Sequence, residues 1–236
     1  MKLVVVRHGE SEYNKLNLFS GWEDVPLTAT GVEEARQAGR QIKAAGCLFD
    51  VAFTSVLQRS IRSLNLILEE TGQEWLPVEK SWRLNERSYG ALQRLNKEET
   101  AVNRGRELVN RWRKGYRALP PLLTAEDPRH PSHDPRYHCV DPRLLPAGES
   151  LETTLQRVMP YWSDQIVPHL LRGEDVLIVS HRNTLRALIK YIEALSDEAI
   201  VRFDVPTGIP ILYEFDKRLS VVSKCELTAT PTPNSR

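Results

Sequence analysis

Two histidines of the chain stand in matching contexts, each directly after a run of apolar residues. His8 follows "LVVVR" and precedes Gly9, and His181 follows "VLIVS". Imidazole is a nucleophile at neutral pH because its unperturbed pKa, about 6.5, leaves most of it uncharged, and it can carry a phosphoryl group as a covalent intermediate. A single histidine after a strand is more often a structural residue, but two in the same context favour a shared chemical role.

Two arginines lie where a phosphoryl group beside these histidines would need cations. Arg7 adjoins His8, and Arg59 lies in "LQRSIR", just after another apolar run. Phosphoryl transfer requires cations around the equatorial oxygens, and the planar guanidinium binds two oxygens at once. Arg59 could equally be a solvated residue in a first helical turn, but its position after a strand end favours a role in the site.

The elements that would position these residues alternate between strand and helix. Apolar runs without polar alternation suit strands that are buried on both faces, and the alternation predicts an α/β fold, a three-layer αβα sandwich with a mostly parallel central sheet. Ligands of such sheets bind beyond the carboxyl ends of the strands, where His8 and His181 would lie. The sequence predicts strands at 3–6, 49–55, 75–81 and 175–180, and helices at 28–46, 55–72, 150–171 and 183–195, the last capped by Asn183.

One segment departs from this alternation. Residues 118–148 carry many prolines, cannot form one helix, and are long for a structureless connection, so we expect a functional loop or lid. The end of the chain, 228–236, reads "TATPTPNSR" and is expected to be disordered. Residues 1–227 are therefore predicted to form a single domain.

Composition limits the possible partners. The 32 Lys and Arg residues nearly balance the 31 Asp and Glu residues, so there is no overall field to attract nucleic acid or a membrane surface. Cys47, Cys139 and Cys225 are too widely spaced for a disulfide framework or a zinc ribbon, and the first apolar run is too short for a signal peptide. His130 and His133 lie in the proline-rich segment, which cannot hold helical ligand geometry. We expect a cytoplasmic protein with no metal.

Longer stretches of the sequence resemble one family of enzymes. "RHGESEYN", "GWEDVPLT", "RLNERSYGALQ", "LNK" and "PTGIP" are similar to the 2,3-bisphosphoglycerate-dependent phosphoglycerate mutases, and the similarity extends from about Leu3 to Asp216. The tripeptide RHG marks only the wider histidine phosphatase superfamily, whereas the last three stretches are specific to the mutase branch. The resemblance implies a phosphoglycerate mutase-like fold and a homodimer or homotetramer. The implied activity is that of an isomerase of glycolysis and gluconeogenesis, which interconverts 3-phosphoglycerate and 2-phosphoglycerate without a metal.

The resemblance also implies roles for individual residues. It makes His8 the phosphorylated nucleophile, primed by 2,3-bisphosphoglycerate, and Glu86 the general acid and base. On residue types alone, Glu86 could equally be one half of an ion pair with Arg87. Arg7, Arg59 and His181 complete the implied catalytic set. The implied substrate-binding residues are Glu10, Ser11, Asn14, Ser20, Gly21, Arg87, Ser88, Tyr89, Lys97, Arg113, Lys114, Arg182 and Asn183.

Three positions depart from the family pattern. Ser88 in "NERSYG" stands where the family has histidine, and Arg94 in "GALQRLNK" and Arg182 in "SHRNT" stand where it has glycine. A glycine at position 182 would allow close backbone approach or positive φ, and arginine supplies neither. Two alternatives to a mutase therefore stay open: a phosphatase in which water competes for the phosphohistidine, and a non-catalytic mutase-like protein.

Overall fold

The structure is a computed structural model that describes residues 1–228, and its centre is a six-stranded sheet. The strands are β1 (Lys2–Arg7), β2 (Val51–Thr54), β3 (Val78–Lys80), β4 (Val176–Ser180), β5 (Pro210–Phe215) and β6 (Val221–Glu226). Their order in the sheet is β3-β2-β4-β1-β5-β6, and the first four in this order are parallel. Strand β5 runs antiparallel to β1, and β6 runs antiparallel to β5. The predicted fold class, a mostly parallel α/β sheet, is therefore confirmed.

Helices cover both faces of this sheet. They are α1 (Glu12–Lys15), α2 (Ala29–Ala44), α3 (Gln58–Thr71), α4 (Lys97–Arg104), α5 (Arg106–Lys114), α6 (Leu151–Tyr161), α7 (Val167–Leu171), α8 (Arg182–Ile192) and α9 (Asp197–Arg202). Because successive strand side chains point to opposite faces, Leu3 and Val5 pack against α6 and α8, whereas Val4 and Val6 pack against α2 and α3. The result is the predicted three-layer sandwich.

Local sequence signals account for several helix ends. The Thr28 side chain accepts the Gly31 amide at the start of α2, and Ser150 forms a capping box at the start of α6. Gly72 ends α3 with φ of 71°, a left-handed conformation that glycine adopts without strain, as predicted. The predicted helix 150–171 is continuous in space, but a π-helical turn at Trp162–Ile166 joins α6 to α7.

The proline-rich segment is neither a helix nor structureless. It contains three short 3₁₀ helices, Pro131–His133, Pro135–Tyr137 and Pro142–Leu144, each of which begins at a proline. Tyr137 is buried there, and its ring centroid lies 4.9 Å from that of Trp22. A role as a lid stays a prediction, as does the single domain of residues 1–227. The predicted tail 228–236 lies, except for Thr228, outside the described residues. Within residues 1–228 no helix is both long and apolar enough to span a membrane.

Candidate active site

The two histidines singled out by the sequence meet at the carboxyl edge of the sheet. Strands β1 and β4 are parallel neighbours with Arg7 beside Ser180, so His8 and His181 leave the sheet side by side. Their ring centroids lie 5.0 Å apart at an interplanar angle of 64°, and both side chains are buried. The His8 amide donates to the Ser180 carbonyl over 2.9 Å, which extends the strand pairing up to the histidine.

A backbone hydrogen bond fixes the tautomer of His8. Its Nδ1 lies 2.6 Å from the Gly9 carbonyl oxygen, which can only accept, so Nδ1 carries the proton and Nε2 carries the lone pair. Burial, followed by the charges of Arg59 and Arg7, holds the pKa of His8 well below its ordinary value. His8 is therefore a neutral imidazole with a free Nε2, which is the form required of a nucleophile.

Glycine is the one residue type that fits at position 9, directly after His8. Its amide donates to the Ser63 hydroxyl of α3 over 3.1 Å, and a Cβ at this position would collide with the Gly31 carbonyl oxygen at the start of α2. The loop after β1 therefore lies directly against both helices of one layer, and this contact sets the position of His8.

His181 is oriented by a serine that the sequence did not single out. Its Nε2 lies 2.7 Å from the Ser55 hydroxyl, which also accepts the Leu57 amide over 3.1 Å. Within residues 1–228 the Ser55 proton has no other acceptor, so it is donated to Nε2 and leaves the proton of His181 on Nδ1. Nδ1 is buried and has no partner among these residues. It is thus an unused donor next to His8.

Three arginines of the candidate site are anchored on backbone carbonyl oxygens; Arg59 and Arg87 are buried, and Arg7 is half-buried. Arg59 donates to the carbonyls of Glu23 (2.7 Å) and Gly21 (2.9 Å), and burial lowers its pKa to about 10, so it stays charged at neutral pH. Arg7 donates in the same way to Val205 over 2.9 Å. Arg87 donates to the Arg113 carbonyl over 2.9 Å, and its guanidinium lies 4.6 Å from the centroid of the Tyr89 ring.

Unpartnered buried donors concentrate in this region. Among residues 1–228, six buried side-chain nitrogen or oxygen atoms have no hydrogen-bond partner, and five of them are donors on the candidate site residues. A buried donor without an acceptor is costly, so such a group calls for a ligand that supplies acceptors. A multiply charged oxyanion fits this requirement. The five atoms are Arg7 Nε, Arg59 Nε, Arg87 Nε, Arg87 Nη1 and His181 Nδ1.

A small polar cavity of about 70 Å³ opens over His8. Of its charged lining residues, Glu86 is the single carboxylate and five are arginine or lysine, with Arg59 as the most buried. Twelve of the residues named from the sequence line it: Arg7, His8, Asn14, Ser20, Gly21, Arg59, Glu86, Tyr89, Lys97, Arg113, Arg182 and Asn183.

The other named residues lie behind the cavity wall. Ser11 caps α1 together with Asn14, and Glu10 accepts the Thr28 hydroxyl over 2.8 Å. The Ser88 amide donates to a carboxylate over 2.8 Å, and the Lys114 carbonyl accepts from Arg186. Of this outer group, Arg87 and His181 have unpartnered buried nitrogens, and His181 is the one whose ring contacts His8.

The Glu86 carboxylate is held by backbone amides rather than by an arginine. Its Oε1 accepts the amides of Arg87 (2.8 Å) and Asn183 (3.1 Å), and its carbonyl accepts the Trp22 indole over 2.6 Å. Within residues 1–228 Oε2 has no hydrogen-bond partner, so one carboxylate oxygen is fixed and the other is free. The prediction that Asn183 caps α8 is wrong: α8 begins at Arg182, and the Asn183 side chain donates to the Tyr89 hydroxyl instead.

The two arginines at family glycine positions differ in their backbone. Arg94 has φ of 74°, where a residue with a Cβ is strained, and its Nε lies 2.9 Å from Glu23. Arg182 is an ordinary first residue of a helix, so no glycine conformation is required there. Its side chain lines the cavity, and its Nε donates to Asp204 over 2.6 Å.

A buried ion pair missed by the sequence analysis supports the loop that carries Glu86. Arg157 of α6 binds Glu149 over 2.6 Å and also donates to the carbonyls of Arg83 (2.6 Å) and Asn85 (3.1 Å). One signal was present: Arg157 falls on the apolar side of the amphipathic helix, directly before the buried Val158, where an arginine needs buried partners.

The fold and the paired strand-end histidines define a class of protein. The family model described as histidine phosphatase superfamily (branch 1) matches residues 3–226. Solved structures of similar fold include the alpha-ribazole phosphatase of Shigella flexneri, with a TM-score of 0.63, 24% identity, and coverage of 94% of this chain and 93% of that one. The phosphoglycerate mutase of Bacillus anthracis has a TM-score of 0.64, 22% identity, and coverage of 91% and 88%.

Relatives with much higher sequence identity narrow the class. The 2,3-bisphosphoglycerate-dependent phosphoglycerate mutase 2 of Lactiplantibacillus plantarum is 54% identical over 226 residues, 96% of this chain and 98% of the relative. The 2,3-bisphosphoglycerate-dependent phosphoglycerate mutase of Actinobacillus succinogenes is 53% identical over 224 residues, 95% and 99% of the two chains. The chain therefore belongs, within the histidine phosphatase superfamily, to the family of the 2,3-bisphosphoglycerate-dependent phosphoglycerate mutases, which confirms the resemblance found in the sequence.

Proposed function

We propose that this chain is an isomerase that interconverts 3-phosphoglycerate and 2-phosphoglycerate through a phosphohistidine at His8. The observation that carries the proposal is the neutral Nε2 of His8 beside His181, in a cavity lined by Arg7 and Arg59, where all three neighbours carry an unpartnered buried nitrogen. These donors fit a phosphoryl group, and the printed names of the relatives supply the identity of the substrate. When bound, 2,3-bisphosphoglycerate supplies the phosphoryl group that primes His8.

His8 performs the transfer without a base. Its Nε2 forms a bond to phosphorus while the bond from phosphorus to the substrate oxygen breaks, and the Gly9 carbonyl retains the proton on Nδ1. Arg7, Arg59 and the Nδ1–H of His181 donate to the equatorial oxygens, where negative charge accumulates. The same groups hold the phosphoryl group after it has moved to His8.

Glu86 handles the proton of the substrate hydroxyl. When phospho-His8 returns its phosphoryl group, the attacking hydroxyl loses a proton to Oε2, and the reverse step gives the proton back to the leaving oxygen. The two backbone amides on Oε1 fix the plane of the carboxylate. Glu86 serves in both transfers, so no second proton donor is required.

Most of the remaining lining residues bind the groups that do not react. Lys97, Arg113 and Tyr89 line the cavity, and we assign them the substrate carboxylate and the second phosphate. We assign Asn14 to the transferring phosphoryl group, and Ser20 and Gly21 to contact with the substrate. Direct substrate contact by Glu10, Ser11, Arg87, Ser88 and Lys114 stays a prediction.

The proline-rich segment is proposed to act as the lid. The Tyr137 hydroxyl accepts from the Asn85 side chain over 2.8 Å, and the Tyr137 ring packs on Trp22. Both partners are attached to Glu86, one as its chain neighbour and the other through the indole hydrogen bond. Movement of the segment would therefore change the position of Glu86.

We further propose that the protein is cytoplasmic and forms a homo-oligomer, which light scattering would test. We expect it to bind neither nucleic acid nor membranes.

A coupled assay tests the proposed function. Formation of 2-phosphoglycerate from 3-phosphoglycerate is followed through enolase, with the mutase pretreated with chelator, with and without 2,3-bisphosphoglycerate. We expect turnover that depends on the bisphosphate, is lost in His8→Ala, and falls about 10²- to 10⁴-fold in Glu86→Gln. His169→Ala, in α7 and not among the residues that line the cavity, is the matched control and retains full activity. Release of inorganic phosphate in place of isomerisation would overturn the proposal in favour of a phosphatase.

A further inference from the structure

Arg182 combines an anchored edge with a free edge. Its Nε donates to Asp204 over 2.6 Å, whereas within residues 1–228 its two terminal nitrogens have no hydrogen-bond partner. The side chain lines the cavity that contains His8. A guanidinium fixed along one side and open along the other is prepared for a bidentate contact with an oxyanion.

The position of this pair is the rim of the cavity rather than its floor. The Arg182 and Asp204 side chains are 23% and 59% exposed, whereas Arg59 and His8 are 1% and 3% exposed. The floor already contains the unpartnered donors that suit the phosphoryl group on His8. An anion at the rim would therefore be a different group of the same ligand.

Arg182 also adds charge to a site that is already cationic. After burial, its positive charge is the largest cause that lowers the pKa of Arg7, so the two guanidinium groups interact through the cavity. Lys97 and Arg113 line the same space. Attraction by such a cluster grows with the charge of the ligand, and a bisphosphate carries more charge than a monophosphate.

We propose that Arg182, held in place by Asp204, binds the phosphate that is not being transferred and so makes the site select doubly phosphorylated over singly phosphorylated ligands. The inference deepens the proposed function and rests on it. A glycine at this position could not supply the contact, so the selectivity belongs to this chain's own side chain. Its consequence is retention: after the first transfer the ligand is a bisphosphate, and the rim contact holds it until it has turned for the second.

The test compares Arg182→Gly and Asp204→Asn with Arg202→Gly, a control at an exposed arginine of α9 outside the cavity. In one arm, the half-activating concentration of 2,3-bisphosphoglycerate and the KM for 3-phosphoglycerate are measured by the coupled assay. In the other, both compounds are titrated calorimetrically into the same variants in a His8→Ala background, where no transfer occurs.

In the calorimetric arm we expect Arg182→Gly to raise the Kd of the bisphosphate about tenfold and that of the monophosphate less than about threefold, because a single phosphate can bind at the floor instead. In the assay both the half-activating concentration of 2,3-bisphosphoglycerate and the KM for 3-phosphoglycerate should rise, because the phosphate of 3-phosphoglycerate is the one not transferred when phospho-His8 reacts. Asp204→Asn should show the same pattern with a smaller effect, because the guanidinium is kept but loses its anchor. Equal changes in the two calorimetric Kd values, or none, would overturn the inference. Since the calorimetric arm requires no turnover, a wild type that binds both ligands but does not isomerise would refute the proposed function while leaving the selectivity measurable.

Discussion

Mild acid should destabilise this protein through its two buried histidines. His8 and His181 have pKa values held well below 6.5, in both cases by burial first and by Arg59 second. In the unfolded chain both imidazoles return to an ordinary pKa of about 6.5. As the pH falls below 6.5, the unfolded chain therefore binds two protons that the folded chain does not, and the free energy of unfolding decreases. Above about pH 7.5 neither state binds these protons, and their contribution is constant.

The size of the effect follows from the number of protons. Each histidine that is protonated only in the unfolded chain contributes a slope that approaches about 1.4 kcal/mol per pH unit, so the pair approaches about 2.7 kcal/mol per pH unit. Domains have free energies of unfolding of about 5–15 kcal/mol, so a change of one pH unit is readily measured. Aspartates and glutamates, whose ordinary pKa values are about 4, add little above pH 5.5.

Urea unfolding between pH 5.5 and 7.5, followed by tryptophan fluorescence, provides the measurement. We expect the pH slope to fall by about half in His181→Gln, whatever that substitution does to stability at pH 7.5. His138→Gln, an exposed histidine of the proline-rich segment, is the control and should retain the wild-type slope. An unchanged slope in His181→Gln would show that His181 is not held neutral, and the argument for a neutral nucleophile beside it would fail with it.

Three further predictions concern residues that support the site. Arg94→Gly should be about 1 kcal/mol more stable than Arg94→Ala, because both lose the Glu23 ion pair but only alanine retains the strain at φ of 74°; equal melting temperatures would contradict this. Ser55→Ala should lower kcat about tenfold with little change in KM, because the Ser55 hydroxyl no longer fixes the tautomer of His181. A change confined to KM would refute the proton assigned to His181 Nδ1. Arg157→Met should cost about 3–5 kcal/mol in urea unfolding, because Glu149 is left buried and unpaired, and the double variant with Glu149→Leu should recover most of it.

The sequence predicted the residues at strand ends better than it predicted the sheet. The runs before His8 and His181 are apolar throughout, so both strands and the residues after them could be placed. Strand β6 could not be derived in the same way, because it is exposed along its whole length. Strand β5 was missed although most of its residues are buried. The start of α8 was misplaced by one residue. Asparagine is a residue type that often caps helices, but the Asn183 side chain donates to the Tyr89 hydroxyl instead.

Long-range support was beyond the reach of local patterns. The contacts of Arg157 with the carbonyls near Glu86 span more than 70 residues of sequence, and Ser55 lies 126 residues from His181. A side chain's type shows that it can donate, but its partner depends on how helices and loops pack. The buried position of Arg157 was predictable from helix periodicity, whereas its partners were not.

The way in which the arginines are anchored explains why the site can hold so much charge for a ligand. Within residues 1–228, Arg7, Arg59 and Arg87 donate to backbone carbonyls and make no ion pair, so their positive charge is oriented without being neutralised. A carboxylate partner would fix the same geometry but cancel the attraction for phosphate. Arg182 is the exception, with its anchor on Asp204, and it lies at the exposed rim, where water weakens that pairing and leaves the free edge of the guanidinium able to bind. The floor of the site thus uses uncompensated cations for the reacting group, and the rim uses a compensated one for selection.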